Sequence, residues 1–188
     1  MADVFISFIH EEQRIAEAVQ AYLKGHLKRL VPNGVFLSAD DWTVFAGEVW
    51  LERIRQELQE ASVVVLMLSQ QSVQRPWINF EAGAAWLANK ALIPVCFGGL
   101  TKGDMPKPYS GIQGLDLPDD AFYLLRSVQH HLDPKGVLPP PPPEDRYLAE
   151  IRAALKGEHR VVSPPPPPLP HQKTAPEPRS MPEEKETQ

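Results

Sequence analysis

The chain has 188 residues, with 19 Lys and Arg against 24 Asp and Glu, for a formal net charge of −5. No basic cluster is dense enough to displace counterions from duplex nucleic acid, so nucleic acid is not an expected partner. Its single cysteine, Cys96, excludes an intrachain disulfide; the opening Met1 to Phe8 is no secretory leader, and no stretch approaches the roughly 20 apolar residues of a membrane helix, so a cytoplasmic protein without a membrane partner is expected.

In chain order, Asp3 to Phe8 is a β-branched and aromatic run that reads as a strand. Ile15, Val19, Tyr22, His26 and Leu30 follow at helical spacing, with Glu11 and Glu12 suited to the positive end of the helix dipole. Asn33-Gly34 marks a turn, Val35 to Leu37 a short strand, and Trp50, Ile54, Leu58 and Ala61 a second amphipathic helix. Ser62 to Leu68 is apolar without alternation, the pattern of a parallel strand buried on both faces. A helix is predicted from Trp77 to about Lys90, a strand over Leu92 to Phe97, a short strand over Ile112 to Leu117 and a helix over Asp119 to Leu132.

Strands alternating with helices on short connections predict an α/β, flavodoxin-like fold: a central parallel sheet of about five strands with helices on both faces. Prolines set its expected end, since 14 of the 21 lie between Pro139 and Pro182. The expected organisation is a domain over 1–137, a proline-rich linker over 138–160 and a disordered proline-rich tail over 161–188. Within that linker, Tyr147 or Leu148, Ile151 and Leu155 mark a short helix at about 144–156, read as packing back on the domain rather than binding a partner. Pro164 to Pro170 favours polyproline II, as a spacer or as a ligand for an aromatic groove. Removal of 139–188 is expected to leave the domain folded.

The most informative stretch is Gln74 to Trp86, in which Trp77 and Glu81 are four residues apart and share one face of a helix that Pro76 opens. In open α/β folds ligands bind at the carboxyl ends of the strands, where this helix begins. The bland alternative makes Trp77 a core anchor and Glu81 a solvated helix charge. Neither Gly-x-x-x-x-Gly-Lys-Ser/Thr nor Gly-x-Gly-x-x-Gly occurs, no Gly-x-Ser-x-Gly elbow is present, and His130-His131 lacks partners at metal-ligand spacing. No metal and no cofactor are expected. Loops after the first three strands open on the edge of Glu81 and supply the candidate substrate contacts Ser7, Phe8, Ile9, Ser38, Asp40, Asp41, Trp42 and Ser72, beside Trp77.

An ordinary glycosidase needs two carboxyl groups, one of them to protonate the leaving oxygen. A pyridinium leaving group departs neutral and needs no acid. One carboxylate that offsets an oxocarbenium-like charge then suffices, which fits cleavage of the nicotinamide–ribose bond of NAD, with NAD as substrate rather than cofactor.

Asp3-Val-Phe-Ile-Ser-Phe8 resembles the first box of Toll/interleukin receptor (TIR) domains. Phe36 to Trp42 with Gly47-Glu48 resembles their second strand and BB loop, and Trp77 to Glu81 their enzymatic Trp-x-x-x-Glu. The resemblance spans about residues 1–132, with Leu68-Ser69 and Ile93-Pro94-Val95 among its strongest blocks, and the loop Lys102 to Asp116 is similar to that of bacterial members. It implies an NAD glycohydrolase in which the catalytic residue is Glu81 and Trp77 lines the pocket. Nicotinamide and ADP-ribose, linear or cyclic, would be the products. It further implies that Ala39 to Gly47 gates the site or shares it with a neighbouring protomer, that assembly into a homo-oligomer or filament activates the enzyme, and that a separately encoded sensor protein and a role in antiphage defence go with it. Here Thr43 to Ala46 is apolar where family members commonly carry charge or proline. The alternatives are a TIR module that acts only by association and an enzyme like the nucleoside deoxyribosyltransferases.

Overall fold

The computed structural model describes residues 2–39, 50–142 and 144–158. Five parallel strands, β1 (Val4–Phe8), β2 (Val35–Ala39), β3 (Val63–Leu68), β4 (Ala91–Cys96) and β5 (Leu115–Asp116), form one sheet in the order β2-β1-β3-β4-β5. Helices α1 (Gln13–His26), α2 (Trp50–Glu60), α3 (Pro76–Leu87), α4 (Ala121–Leu132) and α5 (Arg146–Glu158) cover it, and the flavodoxin-like arrangement is the one the sequence predicts.

The period-two alternation of the strands divides the core into two layers. Val4, Ile6 and Phe8 of β1 and Val63, Val65 and Met67 of β3 pack towards α1, α4 and α5. Phe5 of β1 and Val64, Leu66 and Leu68 of β3 pack towards α2 and α3. Both strands are buried at every position, which explains why neither reads as alternating polar and apolar. Pro94 sits where β4 pairs with β3 alone, because β5 pairs only with Val95 and Cys96.

Element ends depart from the sequence reading for local reasons. The first helix stops at His26, and Leu30 belongs instead to the turn in which its N–H donates to the Leu27 carbonyl at 2.7 Å. Helix α3 stops at Leu87 because Asn89 adopts φ 54°, letting the Lys90 N–H reach the Ala85 carbonyl at 3.0 Å and the Asn89 N–H reach that of Trp86 at 3.0 Å. The strand expected over Ile112 to Leu117 shrinks to two residues between Gly114 and Pro118.

α5 lies along α1. Ile151 and Ala154 are buried in the same cluster as Ile15, Val19 and Tyr22, and burying an Ile side chain contributes about 1.5–3 kcal/mol. The Asp145 carboxylate accepts the Tyr147 N–H at 2.9 Å, capping the helix, and its other oxygen meets His26 Nε2 at 2.7 Å. The core therefore continues past residue 137 and takes in α5. The tail expected over 161–188 lies outside the described residues. Among the described residues no helix is long and apolar enough to cross a membrane.

Candidate functional site

Register brings the first two candidate side chains together. β1 and β2 pair with Ser7 opposite Ser38, so both hydroxyls leave the carboxyl end of the sheet on the side of α2 and α3. Above them α3 begins with Pro76 as its first residue, where the missing N–H has no helical partner to lose. Glu81 falls in the second turn and is 0% exposed. One carboxylate oxygen accepts the Ser7 hydroxyl, and the other accepts the Ser38 hydroxyl at 2.5 Å. These two bonds fix the carboxylate plane and hold α3 to the ends of β1 and β2. Glu81 is thus no solvated helix charge.

Trp77 lies one turn earlier, on the same side of α3 within roughly 40°, at about 100° per residue. It is half-buried, its ring centroid 5.6 Å from that of Phe80. Ile9 continues the Phe5 and Ser7 side of β1 and is buried beneath α3. The remaining candidates part company with Glu81. Phe8 points through the sheet into the opposite layer, among Ile15, Val19 and Val65, as its odd register relative to Ser7 requires. Ser72 shapes the turn after β3: its hydroxyl donates to the Met67 carbonyl at 3.1 Å and accepts the Ser69 N–H at 2.7 Å. Asp40, Asp41 and Trp42 lie outside the described residues.

A second buried carboxylate, Glu12, stands at the same edge of the sheet and accepts the Ser69 hydroxyl. Ser69 Oγ in turn accepts the N–H groups of Gln71 at 3.1 Å and Ser72 at 3.0 Å. The neighbouring Glu11 binds Arg75, the residue just before Pro76, and so ties the start of α1 to the start of α3. Sequence reading assigned Glu11 and Glu12 alike to the helix dipole. Two adjacent glutamates at a helix start carry no signal of which one turns inward. Among the described residues no group of three or more His, Cys, Asp or Glu side chains could hold a metal ion.

On the flank of α3 away from Glu81 is a cavity of about 520 Å³, walled by Trp86 and Tyr109 over a floor of Leu66 and Leu92. Tyr109 donates its hydroxyl to Asn79 Oδ1 at 2.6 Å, and burial pushes its phenol up to about 12. Nothing in the sequence marked this cavity, because its walls come from a helix and a loop some 25 residues apart.

Residues 4–130 match the family model described as TIR domain. Among solved structures, a metazoan TIR-STING receptor from C. gigas, determined in complex with 2′,3′-cGAMP, is similar at 20% identity and a TM-score of 0.50. The match covers 68% of this chain and 39% of the receptor chain, and at that identity it bears on the fold alone. No curated protein matches the chain.

Proposed function

Since the chain belongs to the TIR-domain family, whose model matches residues 4–130, we propose that it is an NAD glycohydrolase with Glu81 as the catalytic carboxylate. The observation that carries this reading is the setting of Glu81: buried, at the carboxyl ends of β1 and β2, one turn from Trp77, and oriented by two hydroxyl donors. In the reaction the C1′–N bond of the nicotinamide riboside breaks and its electron pair stays on the pyridine nitrogen, so nicotinamide leaves neutral. A water oxygen bonds to C1′ and loses a proton, giving ADP-ribose; attack by an adenine nitrogen gives the cyclic product instead.

Glu81 offsets the positive charge that grows on the ribose ring as the bond breaks. The Ser7 and Ser38 hydroxyls present one O–H to each carboxylate oxygen, the donor pattern that a ribose 2′,3′-diol also offers. Substrate binding exchanges at least one serine for a ribose hydroxyl, with Trp77 and Ile9 as the apolar wall. Full burial of Glu81 fits an enzyme that is off until the groups around it rearrange, and self-association is the rearranging event we assign. A homo-oligomer, a separately encoded sensor and a place in antiphage defence belong to this reading.

The same burial favours a second reading. Two serines satisfy the carboxylate, which could serve only to knit α3 to the sheet edge of a TIR module that acts by association. A transferase would exchange bases on a deoxynucleoside and leave NAD intact, and the TIR-family match favours the NAD reading over it. Nicotinamide release from NAD by the purified full chain, over a range of protein concentration, separates the two: release that steepens with concentration supports the enzyme, and none at any concentration supports the module.

A further inference from the structure

The cavity beside α3 has features that the proposed NAD chemistry does not use. Asn79, Ala82, Gly83 and Trp86 line it, and at about 100° per residue they lie roughly 100–200° around α3 from Glu81. Its volume of about 520 Å³ falls inside the span of about 300–1,000 Å³ usual for small-molecule sites. None of its lining residues carries a charge, so an ionic ligand would be stripped of water there with no compensating partner.

Gly83 gives a second, independent mark. It stands in the interior of α3, where glycine weakens a helix relative to alanine. A Cβ built on it meets no atom within 4 Å. The space in front of Gly83 is therefore open, and the missing side chain enlarges the cavity without any steric need in the fold itself.

The polar atoms define what the space accepts. Tyr109 spends its only O–H on Asn79 Oδ1, and the Asn79 amide donates to the Arg75 carbonyl at 3.1 Å. What this pair keeps for an occupant is acceptor capacity, chiefly the second lone pair of the Tyr109 oxygen. Trp86, 68% exposed, supplies a flat face on which a ring can stack, and the buried Tyr109 closes the space behind it.

We propose that this cavity is a second binding site, for a small, uncharged, planar aromatic molecule that bears one N–H or O–H donor. The site is independent of the NAD reading, because it rests on the opposite flank of α3 and on residues with no part in that chemistry.

Indole is the probe, with benzofuran as the partner of the same shape that lacks the N–H. Titration into the ¹⁵N-labelled full chain should give saturable amide shifts centred on residues 79–86 and 108–112 and on the floor residues Leu66 and Leu92, with indole binding several-fold more tightly than benzofuran. Gly83→Leu fills the space and should abolish both while the chain keeps a cooperative unfolding transition. Tyr109→Phe combined with Asn79→Ala removes both the phenol oxygen and the amide oxygen it holds, and should make indole and benzofuran equal, which a fold defect would not do. The proposal is overturned by the absence of a saturable shift with indole, by shifts centred elsewhere, by undiminished binding to a folded Gly83→Leu chain, or by equal indole and benzofuran affinity in the unaltered protein.

Discussion

Ser7 and Ser38 stand opposite each other in the parallel register of β1 and β2, and both hydroxyls donate to the carboxylate of Glu81. Two strands and a helix thereby meet at one buried charge-bearing group. Removing either serine takes one hydrogen bond from a buried carboxylate, which costs about 1–3 kcal/mol. We therefore expect Ser7→Ala and Ser38→Ala each to lower the unfolding free energy measured in urea by that amount, and the double variant by less than twice as much, since the two act on one group. Additive losses would mean that the two bonds do not share a partner.

The helix α5 decides how much of the chain is needed to fold. A chain ending at residue 158 should unfold like the full protein, whereas one ending at residue 138 strips Ile151 and Ala154 from the face of α1 and should lose its cooperative transition. Ile151→Ala in the full chain should cost about 2–5 kcal/mol. A cooperative transition in the shorter chain at the full-length midpoint would contradict this role of α5 in the core.

One substitution at two glycines should give opposite signs. At Gly25 an added Cβ would lie within the Tyr147 ring, 2.9 Å from its hydroxyl oxygen and closer still to the ring carbons. Gly25→Ala should push the Tyr147 ring out of its edge-on contact with His26 and destabilise by about 1–3 kcal/mol. At Gly83 the Cβ meets nothing within 4 Å, so Gly83→Ala should stabilise by up to about 1 kcal/mol through helix propensity. Thermal unfolding of the two variants checks both signs.

Stability should fall at alkaline pH. Burial, helped by the nearby Asp116 charge, pushes the Cys96 thiol up to about 12, and burial does the same to the Tyr109 phenol. In the unfolded chain these groups lose their protons first, near pH 8.5 and 10 respectively. Their protonated forms contribute fully below those values, and the contribution drains away as pH rises towards about 12. Urea midpoints between pH 8 and pH 11 should decline, and Cys96→Ala should flatten the first part of that decline. A pH-independent midpoint over this range would contradict the burial of both groups.

Much of this architecture was legible in the sequence. Unbroken apolar runs announced the two-sided strands, and Pro76 with the Trp77 and Glu81 spacing announced the start of α3. Strand parity would also have separated Ser7 from Phe8, since neighbours on a strand face opposite ways, yet the loop at the end of β1 was read as one unit and Phe8 was carried along. Burial of Glu12 and the packing of α5 depend on contacts between segments distant in the chain. Pattern alone could suggest that α5 packs but not that Asp145 both caps it and holds His26. The proline run after residue 138 signals a break in secondary structure and says nothing of whether the chain returns to the core.

The central claim is best tested by nicotinamide release from NAD by the full chain at low and high protein concentration, with Glu81→Gln as the comparison. Glutamine keeps the shape of the side chain, can still accept from one serine and can donate to the other, so the variant should stay folded within about 1–2 kcal/mol. The account predicts release that rises more steeply than protein concentration and that is lost in folded Glu81→Gln. Release that persists undiminished in that variant would remove Glu81 from the chemistry, and no release from the unaltered chain at any concentration would contradict the hydrolase and leave the associating TIR module.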